Sequence, residues 1–221
     1  MMRYFLILLT VVPLFYSRVF AGDFPAKEVY RTISPAVVIV RGSGAGREGM
    51  IGAGSVISNK GLVVTNAHVV LEKGSKKPYP EINVYLKPGN LTGDPGNDMK
   101  MGFKADVTSY SITLDLAILK VSGLPSDTPV AVLADPSEIK IGEEVVAIGH
   151  PEEGGFWSLT YGRISGELRD FKGINGKDVY QTDTSINRGN SGGPLLDRRG
   201  YMVAVNPVRK FGRGFKPLPN Y

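Results

Sequence analysis

Apolar residues in this chain fall into short runs, often β-branched, separated by Gly, Pro, Asn and Asp. Short punctuated runs of this kind read as strands, whereas long amphipathic helices would repeat every three to four residues. Ala36–Val40 predicts a buried strand. Gly52–Ser58 and Leu62–Thr65 flank a turn at Asn59-Lys60-Gly61 and predict a hairpin, with Ser55–Ile57 as its first paired stretch. Further strands are expected at Ile82–Leu86, Lys104–Tyr110 and Leu114–Val121. Ser122–Pro136 carries three prolines and no periodicity, so it reads as a link between two lobes. Beyond it, Glu144–Ile148, Trp157–Leu168, Val179–Thr184, Pro194–Leu196 and Met202–Val205 supply strands for the second lobe. Helical spacing is found at Phe24–Ser34, where Val29 and Ile33 share a side and Pro35 ends the run. Glu72–Met101 is long and polar, which marks it as a functional or poorly ordered loop. The pattern as a whole predicts an all-β, two-lobed protein with a short N-terminal helix.

Composition narrows the chemistry. The 221 residues suffice for one domain of two lobes. The absence of cysteine excludes disulfides, a thiolate nucleophile and Cys-based metal sites. The formal charge of +5 is mild, and Lys76-Lys77 and Arg198-Arg199 are isolated pairs, so nothing suggests a nucleic-acid partner. Residues 1–21 read as an export signal: Arg3, an apolar core at Tyr4–Phe15, and Val19-Phe20-Ala21 before a cut that leaves Gly22 first. Retention of that segment as a membrane anchor is the rival reading. Export without cysteine favours a bacterial periplasm or exterior.

Three residues stand out chemically. Ser191 lies in Gly189-Asn190-Ser191-Gly192-Gly193, where glycines permit positive φ and close backbone approach. Such a turn can present a hydroxyl for attack beside amide groups that stabilise an oxyanion. His68 is one of only two histidines and follows a β-run at a small-residue turn. Imidazole is the usual general base near neutral pH. Asp115 interrupts the apolar run Ile112–Leu119, and a buried carboxylate needs a partner. Each residue alone has a bland reading: a solvated turn, a core imidazole, a capping carboxylate. A serine with a base and an orienting acid points to nucleophilic catalysis. Gly44-Ala-Gly46-Arg-Glu-Gly49 matches a dinucleotide fingerprint formally, but a strand follows where that fold needs a helix, so a surface loop is expected.

The blocks Gly52–Val70, Asp115–Val121, Ile148–Pro151 with Tyr161–Ser165, and Asn187–Asp197 resemble the protease domain of HtrA/Deg serine proteases. The resemblance covers about Phe24–Phe215. It implies a trypsin-like double β-barrel over residues 22–221, with an N-lobe at about 36–121, a linker at 122–136 and a C-lobe at about 137–217. It further implies a catalytic triad of Ser191, His68 and Asp115, and an oxyanion hole from the amides of Gly189 and Ser191. No metal or cofactor is implied. The expected substrates are unfolded proteins or peptides. Relatives often trimerise through the N-terminal segment, which makes Phe24 and Tyr30 candidate contacts. They mostly act in protein quality control outside the cytoplasm.

The same resemblance places Ser185 at the base of the substrate pocket, with Ile186, Val205 and Asn206 around it. An uncharged base and apolar walls predict cleavage after small aliphatic residues. Arg188 departs from the proline common at that position. His150 is expected in a loop outside the triad. Relatives usually carry a peptide-binding PDZ domain after the protease domain; none is expected within the sequence to Tyr221, which is read as a protease domain alone. The alternative function is a catalytically latent chaperone or binding module of the same family.

Overall fold

The computed structural model describes residues 23–44, 49–151 and 155–207. The leader and the chain beyond Pro207, including part of the expected pocket wall, lie outside the described residues. After helix α1 (Ala26–Ile33) come β1 (Val37–Ser43), β2 (Gly49–Ser58) and β3 (Leu62–Thr65). A single helical turn, α2 (Ala67–Val70), precedes β4 (Glu81–Tyr85). Another turn, α3 (Pro95–Asp98), leads into β5 (Gly102–Ser111) and β6 (Leu116–Val121). The second lobe contains β7 (Glu144–Gly149), β8 (Ser158–Leu168), β9 (Val179–Thr182), β10 (Pro194–Leu196) and β11 (Met202–Val205).

The N-lobe strands close into a barrel in the order β1-β2-β3-β6-β5-β4, with β4 pairing back onto β1. The C-lobe is a curled sheet in the order β11-β10-β7-β8-β9, a half-barrel with β9 and β11 at its edges. The architecture is the expected all-β, two-lobed one.

The uninterrupted apolar runs have a packing cause. Strands buried on both faces lose the alternation of a half-exposed sheet. In β1, Val38 and Val40 face the interior of the N-lobe barrel, whereas Val37 and Ile39 face a second core between the lobes. In β7, Val146 and Ile148 face that shared core, whereas Val145 and Ala147 face the C-lobe interior. Trp157 sits in the shared core, and its indole N–H donates to the Val37 carbonyl at 2.7 Å. Burying each such Val, Ile or Leu contributes about 1.5–3 kcal/mol. The cleft between the lobes is therefore floored by a continuous apolar layer that fixes their relative position.

The linker straps the lobes together. Its Ala131 N–H donates to Val56 of the N-lobe at 2.8 Å. Its Val132 carbonyl and Ala134 N–H both pair with Met202 of the C-lobe, at 2.7 and 3.0 Å. The long 72–101 tract folds tightly: Tyr79 is buried, and Asp98 accepts from Thr92 and Gly93 backbone amides. Those amide bonds, with the Thr92 hydroxyl, hold the Asp98 carboxyl below its ordinary range against the opposing effect of burial.

Three local expectations need correction. Asp115 lies not in a strand but in the turn before β6, with φ of 59°. It is half-buried, because the turn lifts it toward the cleft. Trp157 likewise precedes its strand, with φ of 54°. The strand expected to end at Val40 runs on to Ser43, opposite Gly49 of β2, and residues 45–48 of the expected surface loop lie outside the described residues. Both flanks of the glycine fingerprint are therefore strands, and neither opens a helix.

Candidate active site

His68 enters on α2, the turn that follows β3. Asn66 precedes the helix with extended dihedrals, so the chain bends sharply from strand to helix and delivers the imidazole to the cleft. Asp115 arrives at the same end of the barrel sheet, since β6 pairs antiparallel with β3 and Thr65 lies opposite Ala117. Its left-handed backbone costs a non-glycine residue on the order of 1 kcal/mol. Two contacts oppose that cost: the Asn66 side-chain amide donates to the Asp115 carbonyl at 2.7 Å, and the His68 backbone N–H donates to Asp115 Oδ1 at 3.1 Å. Ser191 arrives from the C-lobe, on the loop before β10.

The three side chains meet. His68 Nδ1 lies 2.9 Å and 3.0 Å from the two Asp115 carboxylate oxygens. His68 Nε2 lies 3.1 Å from Ser191 Oγ. An acceptor pair at Nδ1 fixes the tautomer: the proton sits on Nδ1, leaving the Nε2 lone pair toward the hydroxyl. Ser191 is 5% exposed, and the His68 and Asp115 side chains are 37% and 24% exposed, so the imidazole forms the open edge of the group.

The serine loop is held by its carbonyls. Ala53 N–H donates to the Ser191 carbonyl at 2.7 Å, and His150 N–H to the Gly189 carbonyl at 3.2 Å. Among the described residues, the amides of Gly189 and Ser191 find no acceptor. Gly189 has φ of 92°, and a Cβ there would overlap the His150 carbonyl oxygen. Gly192, with φ of 84°, packs against Ala53 and Thr65 just as closely. These two glycines let the loop approach the His150 and Ala53 carbonyls closely.

The residues expected around the substrate pocket divide. Ser185 is exposed, its carbonyl accepting from Thr160 Oγ1 at 2.9 Å. Ile186 and Val205 are half-buried and present apolar surface. Asn206 is buried, and its side chain donates to the Pro194 carbonyl at 2.9 Å. Its backbone pairs with Gly192 and Gly193, both at 2.9 Å, so it anchors the serine loop from behind. Arg188 is exposed and makes no ion pair among the described residues.

His150 stands outside the triad, as the sequence reading has it, yet supports it. Its ring is buried, with Nδ1 accepting from Trp157 N–H at 3.0 Å, and it packs edge-on against Trp157 and Phe156. Burial pushes its pKa down to about 4. The Val38 backbone opposes that shift only weakly, since Nε2 has no partner of good geometry. A neutral His150 thus props the backbone that carries the Gly189 carbonyl. The sequence reading missed this role and that of Asn66. The signal was present in the quoted blocks, but polar residues that bond backbone at long range leave no local pattern.

Comparison with known proteins now bears on the site. The model of the trypsin-like peptidase domain family matches residues 52–205. The chain belongs to that family. The chain is 36% identical over 159 residues to the putative serine protease HhoA of Synechocystis, covering 70% of this chain and 36% of that protein. It is 35% identical over 166 residues to the serine protease HTRA1A of Danio rerio, covering 72% and 30%. The crystal structure of Deg5 superposes with a TM-score of 0.67 at 29% identity, covering 82% of this chain and 83% of that one. The HtrA-type protease AlgW, solved with a tripeptide, gives a TM-score of 0.67 at 28% identity over 82% and 53%. The chain spans about a third of the length of these curated relatives. Within the trypsin-like peptidase family its likeness is therefore to HtrA-type proteases, over the part that holds His68, Asp115 and Ser191.

Proposed function

We propose that the chain is a serine endopeptidase of HtrA type, exported to the periplasm or exterior, that cleaves unfolded proteins. The observation that carries this reading is the relay from Asp115 through His68 to Ser191, with 2.9 Å and 3.1 Å links. In the first step Ser191 Oγ attacks the substrate carbonyl carbon while its proton passes to His68 Nε2. Asp115 faces the imidazolium that results and keeps the ring aimed at the hydroxyl. The carbonyl oxygen becomes negative between the Gly189 and Ser191 amides, each such donor contributing about 2.7–4 kcal/mol in comparable enzymes. Collapse expels the amine, which takes the proton back from His68. Water then enters by the same route, its oxygen bonding the acyl carbon as its proton passes to His68, and the acid leaves as that proton returns to Ser191 Oγ.

The pocket reading follows the same surfaces. Ser185 offers no charge to a basic side chain, and Ile186 with Val205 favours small aliphatic residues before the cut. The N-terminal segment supports assembly into a homotrimer, since Phe24 and Tyr30 leave apolar surface beside Leu159 and Tyr161. Unfolded casein tests the activity: the chain should cleave it, Ser191→Ala should not, and undiminished cleavage by that variant would refute the assignment. Cut-site profiling should show Val, Ala or Ile before the scissile bond; predominance of Lys or Arg would overturn the pocket reading.

A further inference from the structure

We propose that Asn66 is a positioning residue for the triad, acting through the backbone of Asp115, and this inference rests on the peptidase reading above. Asn66 immediately precedes α2, where an asparagine ordinarily turns its oxygen onto the first helical amides. Here it makes no such bond. The side chain turns instead to the Asp115 carbonyl, to which its amide donates at 2.7 Å. The helix amide that Asn66 would have capped, that of His68, is taken by Asp115 Oδ1 at 3.1 Å. The two residues thus exchange partners: Asn66 holds Asp115 by its backbone, and Asp115 caps the helix that carries His68.

The exchange is directional. Only the amide nitrogen can face a carbonyl, so the orientation of the Asn66 side chain is settled by its partner. The oxygen is then left buried with no donor, in a residue only 2% exposed. A buried acceptor without a partner weakens a fold. Asn66 is a poor choice for stability and a good one for aim. The aim matters because the Asp115 carboxylate bonds only to His68 among the described residues, through its ring and its backbone amide. Among the described residues, no other hydroxyl or amide steers it. Its direction depends on the left-handed backbone at φ of 59°, which is the point that Asn66 clamps. Gly192 packs on the same corner, where a Cβ would come within 3.0 Å of the Asn66 backbone nitrogen. Strand β3, the Asp115 turn and the serine loop therefore converge on Asn66.

The test combines kinetics with a double-variant cycle. Asn66→Ala removes both the clamp and the unpaired oxygen. The expected result is a kcat lowered roughly 10- to 100-fold, with KM and melting temperature little changed. In an Asp115→Ala background the same substitution should add nothing. Asn66→Asp keeps the shape but sets an oxygen against the Asp115 carbonyl, and should lose at least as much. A readout free of turnover is the downfield proton resonance of the His68 Nδ1–H···Asp115 bond, which should broaden or vanish in Asn66→Ala. An unchanged kcat and resonance, an equal loss in the Asp115→Ala background, or a loss that tracks a fall in melting temperature would overturn the proposal. A wild-type chain that shows the resonance but neither cleaves nor labels would sink the peptidase reading instead, and the resonance of the variant would still decide the role of Asn66.

Discussion

The two lobes solve different problems. The N-lobe is a closed barrel with no free edges, and its core is a large cluster of Val, Leu and Ile with Tyr79. Among the described residues, the C-lobe is an open curled sheet with a core of five buried residues: Ile139, Val145, Ala147, Ile164 and Leu195. The closed lobe supplies His68 and Asp115, whose 2.9 Å contact needs a frame that does not shear. The open lobe supplies Ser191 from a loop of glycines, whose backbone turns through positive φ at Gly189 and Gly192. The proposed base and its acid thus rest on the closed barrel, and the proposed nucleophile on a loop of the open sheet. The shared core around Trp157 holds the two together.

The largest effect should come from stiffening the loop against its geometry. Gly189→Val places a branched side chain at φ of 92° and against the His150 carbonyl. Turnover should fall at least about 100-fold through loss of an oxyanion donor, and melting temperature should fall with it, because the atom in the way is backbone. Core truncation tests the comparison itself. Leu119→Ala, in the barrel and fully buried, should cost about 2–5 kcal/mol. Ile164→Ala, in the smaller open core, should fall at the low end, about 2 kcal/mol, because the sheet can relax around it. Urea titrations followed by far-UV circular dichroism and by Trp157 fluorescence measure both, since Trp157 is the only tryptophan. A larger cost at Ile164 would reverse the contrast drawn between the lobes.

Acid should act through the joint between them. His150 has a folded-state pKa of about 4, below its ordinary value of 6.5. The unfolded chain therefore takes up the proton first. Stability from this group is complete above pH 6.5, declines as pH falls to about 4, and is lost below that. The swing amounts to about 3 kcal/mol. His150→Phe should flatten the decline over that window, and an unaltered slope would remove His150 as its cause. The smallest effect is expected at the surface pair of Glu28 and Arg31, both exposed. Glu28→Ala should leave the melting temperature within error.

Much of this was legible in the residues, for reasons tied to particular places. Leu62–Thr65, Pro194–Leu196 and Met202–Val205 form strands with the expected bounds, because short apolar runs between turn residues have few alternatives. His68, Asp115 and Ser191 were found as a set, and the structure brings them within hydrogen-bonding distance. The position of Asp115 in a turn was not legible. Apolar neighbours on both sides mimic a strand, and only the long-range bond from Asn66 reveals the left-handed backbone. The full length of β2 was hidden by its glycines, which are there because Gly52 packs on Val69 and the Ser191 carbonyl. The prop formed by His150 depends on Trp157, which meets it across a loop and not through any sequence spacing.

The claim on which the rest depends is that Ser191 is a reactive nucleophile in the resting chain. Intact-mass spectrometry after exposure to a fluorophosphonate measures this directly. The account predicts a single adduct on Ser191, formed rapidly in the wild type and suppressed in His68→Ala. A folded chain that forms no adduct, or forms one elsewhere, would contradict it and leave a latent binding module of the same fold.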